Sequence, residues 1–327
     1  MLLRLSASEF IEIAKFDPLQ ISPIQGVAGV IIEDSLDVVG LPPLESIPCA
    51  VIAMTSAPSV LERVDTYASP IETEQLELVA SSYPTAFATA ARVVRCAEQL
   101  GIRDGLFLES VTYSLLQTAP EFQDWLSRNR RLAHRVGRQS DVVGVRRTDD
   151  RLDVVLKEPD RRNAFSFVMR DEIRQALTLA VVDRSINYVV ISGDGVNFSS
   201  GGDLAEFGFA TSAVSAHHAR TTDSVPHLLS TITDRLGTDL EIRVHGENVG
   251  AGVELAAFAG HLIADPATTF RLPEVSMGLI PGSGGTVSLT RRVGRHRAAL
   301  MILSGMVVDA PTALAWGLVD EIREWNQ

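Results

Sequence analysis

The 327-residue sequence contains only two cysteines, Cys49 and Cys96, and their spacing forms neither a metal-ligand motif nor a disulfide framework. Basic residues are scarce too. The 29 Lys and Arg residues oppose 41 Asp and Glu, and the net charge of −12 argues against general nucleic-acid binding. No apolar run reaches the roughly 18 residues that a membrane-spanning helix needs. Glu9 and Glu12 lie where a secretory signal has its apolar stretch. We therefore expect a cytoplasmic protein with no membrane partner.

The most informative stretch covers residues 245–260 and has the sequence HGENVGAGVELAAFAG. Gly250 and Gly252 precede a run of helix formers, and glycine at such a place lets the backbone approach a ligand closely. The first N–H groups of a helix have no partner inside it, so they are available to hold a negatively charged oxygen. Glu254 lies inside this run, and a second acid, Glu274, follows in a largely apolar setting. Two carboxyls near one water molecule can divide acid and base work when burial and repulsion drive their pKa values apart.

Together with the following segment FRLPEVSMGLIPGSGGT, this stretch resembles the enoyl-CoA hydratase/isomerase (crotonase) superfamily. The resemblance extends over about residues 151–321 and includes a second glycine-rich loop, NFSSGGDL, at 197–204. It implies an α/β fold with a crotonase-type spiral of β-β-α repeats over about 145–321. It also implies a homo-oligomer, either a trimer or a hexamer. Coenzyme A is expected as part of an acyl-CoA thioester substrate, with no permanently bound cofactor and no metal.

The same resemblance implies roles for individual residues. Glu254 and Glu274 correspond to the two acids of the hydratase-like members, and the N–H groups of Gly202 and Ala251 correspond to donors for the thioester oxygen. Contacts with coenzyme A are implied at six residues in two loops, namely Asn163, Ala164, Phe165, Ser200, Asp203 and Leu204. The segment 208–237 corresponds to a wall of the acyl pocket.

The implied reaction is the hydration of a trans-2-enoyl-CoA to a 3-hydroxyacyl-CoA. Two alternatives stay open. One is a Δ3-Δ2 enoyl-CoA isomerase, which needs only one carboxylate, or another acyl-CoA reaction of the superfamily. The other is a crotonase-like scaffold without catalysis, which the charged residues Glu241 and Arg243 in an otherwise apolar strand would suit. Retention of both acids and both glycine-rich loops favours an enzyme.

The N-terminal part of the chain follows a different pattern. Residues 1–83 contain two short apolar runs, 29–32 and 49–54, which predict buried strands. We interpret 1–83 as an α/β segment, with a decayed fragment of the crotonase fold as one interpretation. The crotonase-like catalytic core is expected over 145–327.

Residues 84–140 are expected to be helical. Their patterns predict three helices, at about 84–100, at about 106–117 and from Pro120 onward. The second is marked by apolar residues at helical spacing, namely Leu108, Val111, Leu115 and Leu116. These helices resemble the tail that normally closes a crotonase-type chain, although here they precede the core. We therefore expect 84–136 to pack against 286–321 and to replace that tail.

A basic segment at 128–147 joins the helices to the core, with seven arginines against one acid, Asp141. It is interpreted either as a solvated linker or as a contact for the phosphates of coenzyme A, because arginine pairs well with phosphate.

Overall fold

The N-terminal part of the chain is built on a parallel four-stranded sheet. The computed structural model describes residues 1–33, 42–54, 62–129, 141–209, 212–222 and 224–324. The sheet has the order β1-β2-β3-β4, with bounds Leu2–Leu5, Gly29–Ile32, Ala50–Ala53 and Thr66–Tyr67. Both predicted strands are confirmed, and β2 and β3 are buried throughout. Helix α1 (Ala7–Phe16) begins at Ser6, which forms reciprocal capping hydrogen bonds with Glu9.

Four helices follow this sheet, namely α2 (Pro70–Ser82), α3 (Pro84–Gln99), α4 (Ile102–Leu116) and α5 (Pro120–Asn129). The predictions for α3 and for the start of α5 are confirmed, whereas α4 begins directly after Gly101, earlier than predicted. Two of the apolar residues that mark α4 in the sequence, Val111 and Leu115, are 41% and 65% exposed. The buried face of α4 instead carries Glu109 and Tyr113. This helix therefore directs a partly polar face inward.

The core contains a six-stranded sheet in the order β13-β10-β8-β7-β6-β5. Its bounds, in chain order, are β5 Val143–Thr148, β6 Arg151–Leu156, β7 Tyr188–Gly193, β8 Leu240–Val244, β10 His261–Ala264 and β13 Glu321–Ile322. Only β5 runs antiparallel to its neighbour, so a crossover helix, α6 (Phe167–Val182), connects β6 to β7. Alternate residues of β6 are buried, as is typical of a strand with one face in the core.

A small three-stranded sheet and six helices complete the core. The sheet consists of β9 (Glu247–Val249), β11 (Thr269–Arg271) and β12 (Val308–Asp309). The helices are α7 (Ala213–Thr221), α8 (Val225–Leu236), α9 (Ala251–Ala256), α10 (Gly285–Val293), α11 (Arg295–Ser304) and α12 (Ala310–Trp316). None of the helices in the described ranges has the length and apolar character needed to cross a membrane.

The N-terminal helices pack directly on the core. Helix α3 lies along α10 and α11, and α4 lies against α7, α8 and α10. Between α4 and α10 the approach is close, since a Cβ added at Gly105 would lie 2.8 Å from a methyl carbon of Val287. Arg295 of α11 donates to Glu98 of α3 over 2.8 Å. The predicted packing against the 286–321 region is thus confirmed for the described residues, while 130–140 lies outside them.

The two charged residues of β8 pair with each other. Glu241 and Arg243 point to the same face of the strand and form an ion pair. The Tyr188 hydroxyl of the neighbouring β7 donates to Glu241 over 2.8 Å. The charged side chains of β8 therefore find their partners within the sheet.

Candidate active site

A cavity of about 740 Å³ lies where the N-terminal helices meet the glycine-rich loops of the core. Four residues with predicted catalytic roles line it, namely Gly202, Ala251, Glu254 and Glu274. Helix α4 supplies much of the opposite wall, through Arg103, Leu106, Phe107, Glu109, Ser110 and Tyr113. Helix α7 and the start of α8, which lie within the segment 208–237, close a further side.

The two glycine-rich loops touch each other at the cavity wall. A Cβ added at Gly201 would lie 2.4 Å from the Val249 carbonyl oxygen and 3.5 Å from the Ala251 nitrogen. Gly202 and Phe165 are paired in an isolated β-bridge. Its hydrogen bonds run from the Phe165 N–H to the Gly201 carbonyl and from the Asp203 N–H to the Phe165 carbonyl, so the Gly202 N–H takes no part in them. Ala251 is the first residue of α9, and its N–H has no partner inside the helix. Both N–H groups are therefore available beside the cavity.

Gly250 is one of the positions where this loop tolerates no side chain. Its φ is +50° and its ψ is −121°, a region that residues with a Cβ rarely adopt. A Cβ here would also lie 2.5 Å from Oε1 of Glu274. The glycine thus lets the Glu274 carboxyl lie directly against the backbone at the start of α9.

Glu254 is 2% exposed and is held by backbone donors. Its Oε2 accepts hydrogen bonds from the N–H groups of Ser283, over 2.7 Å, and Gly285, over 2.9 Å. Burial raises the pKa of this carboxyl well above its ordinary value, and repulsion from Glu274 adds to the rise. The two N–H groups act in the opposite direction because they favour the ionised form.

Glu274 is half-buried and differs from Glu254 in its hydrogen bonding. Its Oε2 is buried and has no hydrogen-bond partner among the described residues. Burial raises the pKa of this carboxyl to about 7. An unpartnered oxygen in the cavity wall is available to a bound water molecule or substrate.

A third carboxyl at the cavity, Glu109 of α4, is buried and was not identified from the sequence. Its Oε1 accepts from the Gly284 N–H over 2.7 Å, and its Oε2 accepts from the N–H and the hydroxyl of Thr286 over 2.9 and 2.6 Å. Burial raises the pKa of this carboxyl to about 7. The four successive N–H groups of 283–286 thus alternate between Glu254 and Glu109. Glu109 thereby positions the chain that holds Glu254.

The predicted coenzyme A contacts divide into two groups. Phe165 and Asp203 line the cavity, while Ala164, Ser200 and Leu204 do not and remain predictions. The side chain of Asn163 is fully buried and its amide bonds only to backbone, at Glu158, Asp194 and Asn197. The side chain therefore orders the loop, and the contact of Asn163 with coenzyme A stays a prediction.

Part of the basic segment 128–147 lies within the described residues. Arg147 pairs with Asp183 on the surface, and the arginines of 130–140 lie outside the described ranges. Its interpretation as a phosphate contact therefore stays a prediction.

Comparison with known proteins gives one family. The family profile described as "Enoyl-CoA hydratase/isomerase" matches residues 151–326. A 2,3-dehydroadipyl-CoA hydratase of Escherichia coli K12 is 34% identical over 169 residues, which are 52% of this chain and 64% of that protein. A trans-2-decenoyl-acyl-carrier-protein isomerase of Streptococcus mutans is 30% identical over 171 residues, which are 52% of this chain and 65% of that protein. The chain therefore spans just under two thirds of either relative.

One solved structure is similar in sequence and in fold. The crystal structure of an enoyl-CoA hydratase from Mycobacterium smegmatis is 29% identical, with a TM-score of 0.50, over 56% of this chain and 70% of that one. The profile match covers more than half of the present sequence and includes all four residues that line the cavity with predicted catalytic roles. This chain belongs to the enoyl-CoA hydratase/isomerase family.

Proposed function

We propose that the protein adds water to a trans-2-enoyl-CoA thioester and releases a 3-hydroxyacyl-CoA. The observation that carries this proposal is the placement of two glutamates, the buried Glu254 and the half-buried Glu274, in the lining of one cavity beside two glycine-rich loops. Hydration needs a site for the developing enolate oxygen, a base for water and an acid for the α-carbon. The cavity offers a group suited to each.

In this proposal the thioester oxygen accepts hydrogen bonds from the N–H groups of Gly202 and Ala251. Negative charge develops on this oxygen when water adds to the conjugated double bond. Fixed donors at such a place are often the largest catalytic contribution. The dipole of α9 adds to the Ala251 donor, although the helix has only six residues.

In the proposed step one glutamate takes up a proton and the other releases one. The ionised member takes a proton from water while the hydroxyl forms its bond to C3. The protonated member gives its proton to C2, so the negative charge on the thioester oxygen is discharged. Burial raises the pKa of both Glu254 and Glu274, and repulsion from Glu274 raises that of Glu254 further. These shifts support the coexistence of one ionised and one protonated carboxyl near neutral pH.

Isomerisation is the second candidate, because one similar protein is named as a trans-2-decenoyl isomerase. Loss of enone absorbance on a panel of trans-2-enoyl-CoA chain lengths would support hydration. Turnover of a 3-enoyl-CoA to the conjugated isomer, without any hydration, would support isomerisation instead. A scaffold would turn over neither. One support for the scaffold, the charged β8, is weakened because Glu241 and Arg243 pair with each other.

Neutralising Glu109 is expected to change the pH dependence of the reaction. Ionised Glu109 repels negative charge on Glu254 and Glu274 and so raises the pKa of both. Glu109→Gln should therefore move the kcat/KM profile to lower pH, most clearly on the alkaline limb, because Glu109 is fully ionised only above its own pKa of about 7. Arg220 and Tyr113 also face this group and are unchanged in the variant. In addition, kcat should fall about tenfold, the loss expected for one charged hydrogen bond.

Thr286→Val is the matched control for Glu109→Gln. It removes the 2.6 Å hydrogen bond from the Thr286 hydroxyl to Glu109 but keeps the carboxyl. This hydrogen bond lowers the pKa of Glu109, so the carboxyl ionises at a higher pH in the variant than in the wild type. We expect Thr286→Val to lower kcat but to leave the alkaline limb in place, because Glu109 is still ionised there. If Glu109→Gln leaves both limbs where they are in the wild type, the electrostatic role of Glu109 is wrong.

A further inference from the structure

Arg220, in the last turn of α7, lines the cavity with an incompletely partnered guanidinium. Its planar group lies 4.2 Å from the centre of the Tyr113 ring. One Nη atom donates to Ser114 over 2.6 Å and to Gln117 over 3.4 Å. The Nε atom is buried and has no hydrogen-bond partner among the described residues. These neutral partners use one edge and one face of the group and leave its Nε edge without an acceptor.

No carboxylate of the described residues lies within ion-pair distance of Arg220. Glu109 is the acid on the facing helix, but its oxygens accept from Gly284 and Thr286. Burial lowers the pKa of the guanidinium, and attraction to Tyr113 and Glu109 offsets this effect only in part. A charge that is partly buried without an ion-pair partner is costly, and a ligand that carries the opposite charge reduces this cost.

Arg220 lies near the part of the cavity that contains Glu254. Its guanidinium stacks on Tyr113, and the Tyr113 ring lies so close to Gly282 that a Cβ there would be 2.5 Å away. The next residue, Ser283, donates its N–H to Glu254. Arg220 is therefore separated from Glu254 by little more than one aromatic ring and one loop. An anion at Arg220 would lie a few carbon atoms from the proposed site of hydration.

We propose that Arg220 binds a carboxylate at the far end of the acyl chain, so that the preferred substrate is the 2-enoyl-CoA of a dicarboxylic acid. This inference rests on the proposed hydratase function and specifies its substrate class. Arg220 is then a specificity-determining residue of the acyl pocket. A guanidinium suits this task because its planar donors match the geometry of a carboxylate.

Two thioesters of equal length provide the test, trans-2-hexenedioyl-CoA and trans-2-hexenoyl-CoA. The wild type is expected to prefer the dicarboxylic substrate by about 10- to 100-fold in kcat/KM, the range for a charged hydrogen bond in a pocket built for it. Arg220→Gln should reduce this ratio to about one, mainly through KM, and Arg220→Lys should restore part of it. Arg103→Gln is the matched control. Arg103 also lines the cavity, but its side chain is exposed and it lies about 15 Å from Tyr113 along α4. It should leave the ratio unchanged.

The phosphates of coenzyme A are the other possible source of an anion. N-acetylcysteamine thioesters of the same two acids lack these phosphates, and we expect the dicarboxylic preference and its loss in Arg220→Gln to persist with them. If Arg220→Gln weakens both CoA thioesters equally and has no effect on the shorter pair, Arg220 contacts coenzyme A and the proposal is overturned.

The hydratase proposal and the present one fail in different ways. Turnover of trans-2-hexenoyl-CoA without any preference for the dicarboxylic substrate would overturn the role of Arg220 alone. No turnover of either thioester would overturn the hydratase proposal. In that case calorimetry would measure the binding of the saturated analogues hexanedioyl-CoA and hexanoyl-CoA. Equal affinities would refute the role of Arg220, and tighter binding of the dicarboxylic analogue would support it.

Discussion

Replacement of either Glu254 or Glu274 by glutamine is expected to lower kcat on a short trans-2-enoyl-CoA by about 10²–10⁴-fold, the usual range for a positioned acid or base. Glutamine keeps the shape of the side chain but neither ionises nor donates an acidic proton. KM should change little, because neither carboxyl is proposed to hold coenzyme A. The double variant should lose much less than the product of the two single losses, since residues that act as a unit are not additive. Enone absorbance under saturating substrate measures each value.

Glu247→Gln is a matched control for these two variants. Glu247 lies in β9, close in sequence to Glu254, but 70% of its side chain is exposed and it forms only a surface ion pair with Arg162. We expect its kcat to equal that of the wild type. Full activity in either Glu254→Gln or Glu274→Gln would refute the two-carboxylate mechanism. An isomerase would show a different pattern, with one silent variant and turnover of a 3-enoyl thioester.

The core elements and the two acids Glu254 and Glu274 could be predicted from the sequence because the patterns that mark them are local. The glycines before α9 and the acid inside it lie within one short stretch, and the structure places Glu254 in the cavity wall. The strands β2 and β3 likewise follow from apolar runs, and helix α3 follows from Pro at its start and Gly near its end. Local patterns of this kind determine elements without reference to the rest of the chain.

The contribution of α4 was not accessible in the same way. Glu109 is 175 residues from Gly284, to which it is hydrogen bonded, and no local pattern records such a contact. The apolar residues Val111 and Leu115 mark the helix in the sequence, yet both are exposed. An acid on a helix is usually solvated, so only the packing of α4 on α10 identifies Glu109 as a residue of the site.

The role of Arg220 could not be predicted from the sequence for the same reason. Its partners Tyr113, Ser114 and Gln117 lie more than 100 residues before it in the chain. The resemblance to the family assigned segment 208–237 to a pocket wall but did not indicate which of its residues face the ligand. The side-chain contacts of the folded chain identify this residue.

Ala251 is a position where a backbone donor can be removed with little change to the fold. It is the first residue of α9, where proline is well tolerated because the N–H has no partner inside the helix. Proline also restricts the preceding residue and disfavours a helical conformation there. Gly250 meets this requirement, since φ of +50° and ψ of −121° mirror the extended region that a residue before proline prefers. Ala251→Pro should therefore fold like the wild type, which circular dichroism and thermal unfolding can establish.

Loss of this donor is expected to lower kcat by about 10²–10³-fold, as for removal of one donor from an oxyanion hole. Ala251→Gly is the control, because it removes only a buried methyl group and keeps the N–H. Since the proline ring also occupies space beside the cavity, its steric effect must be separated from the lost hydrogen bond. Replacing Ala251 by the corresponding α-hydroxy acid deletes the N–H without adding a ring, and it should reproduce the fall in kcat. If the α-hydroxy acid variant instead retains the kcat of the Ala251→Gly control, the thioester oxygen is not held at Ala251 and the proposed oxyanion site is wrong.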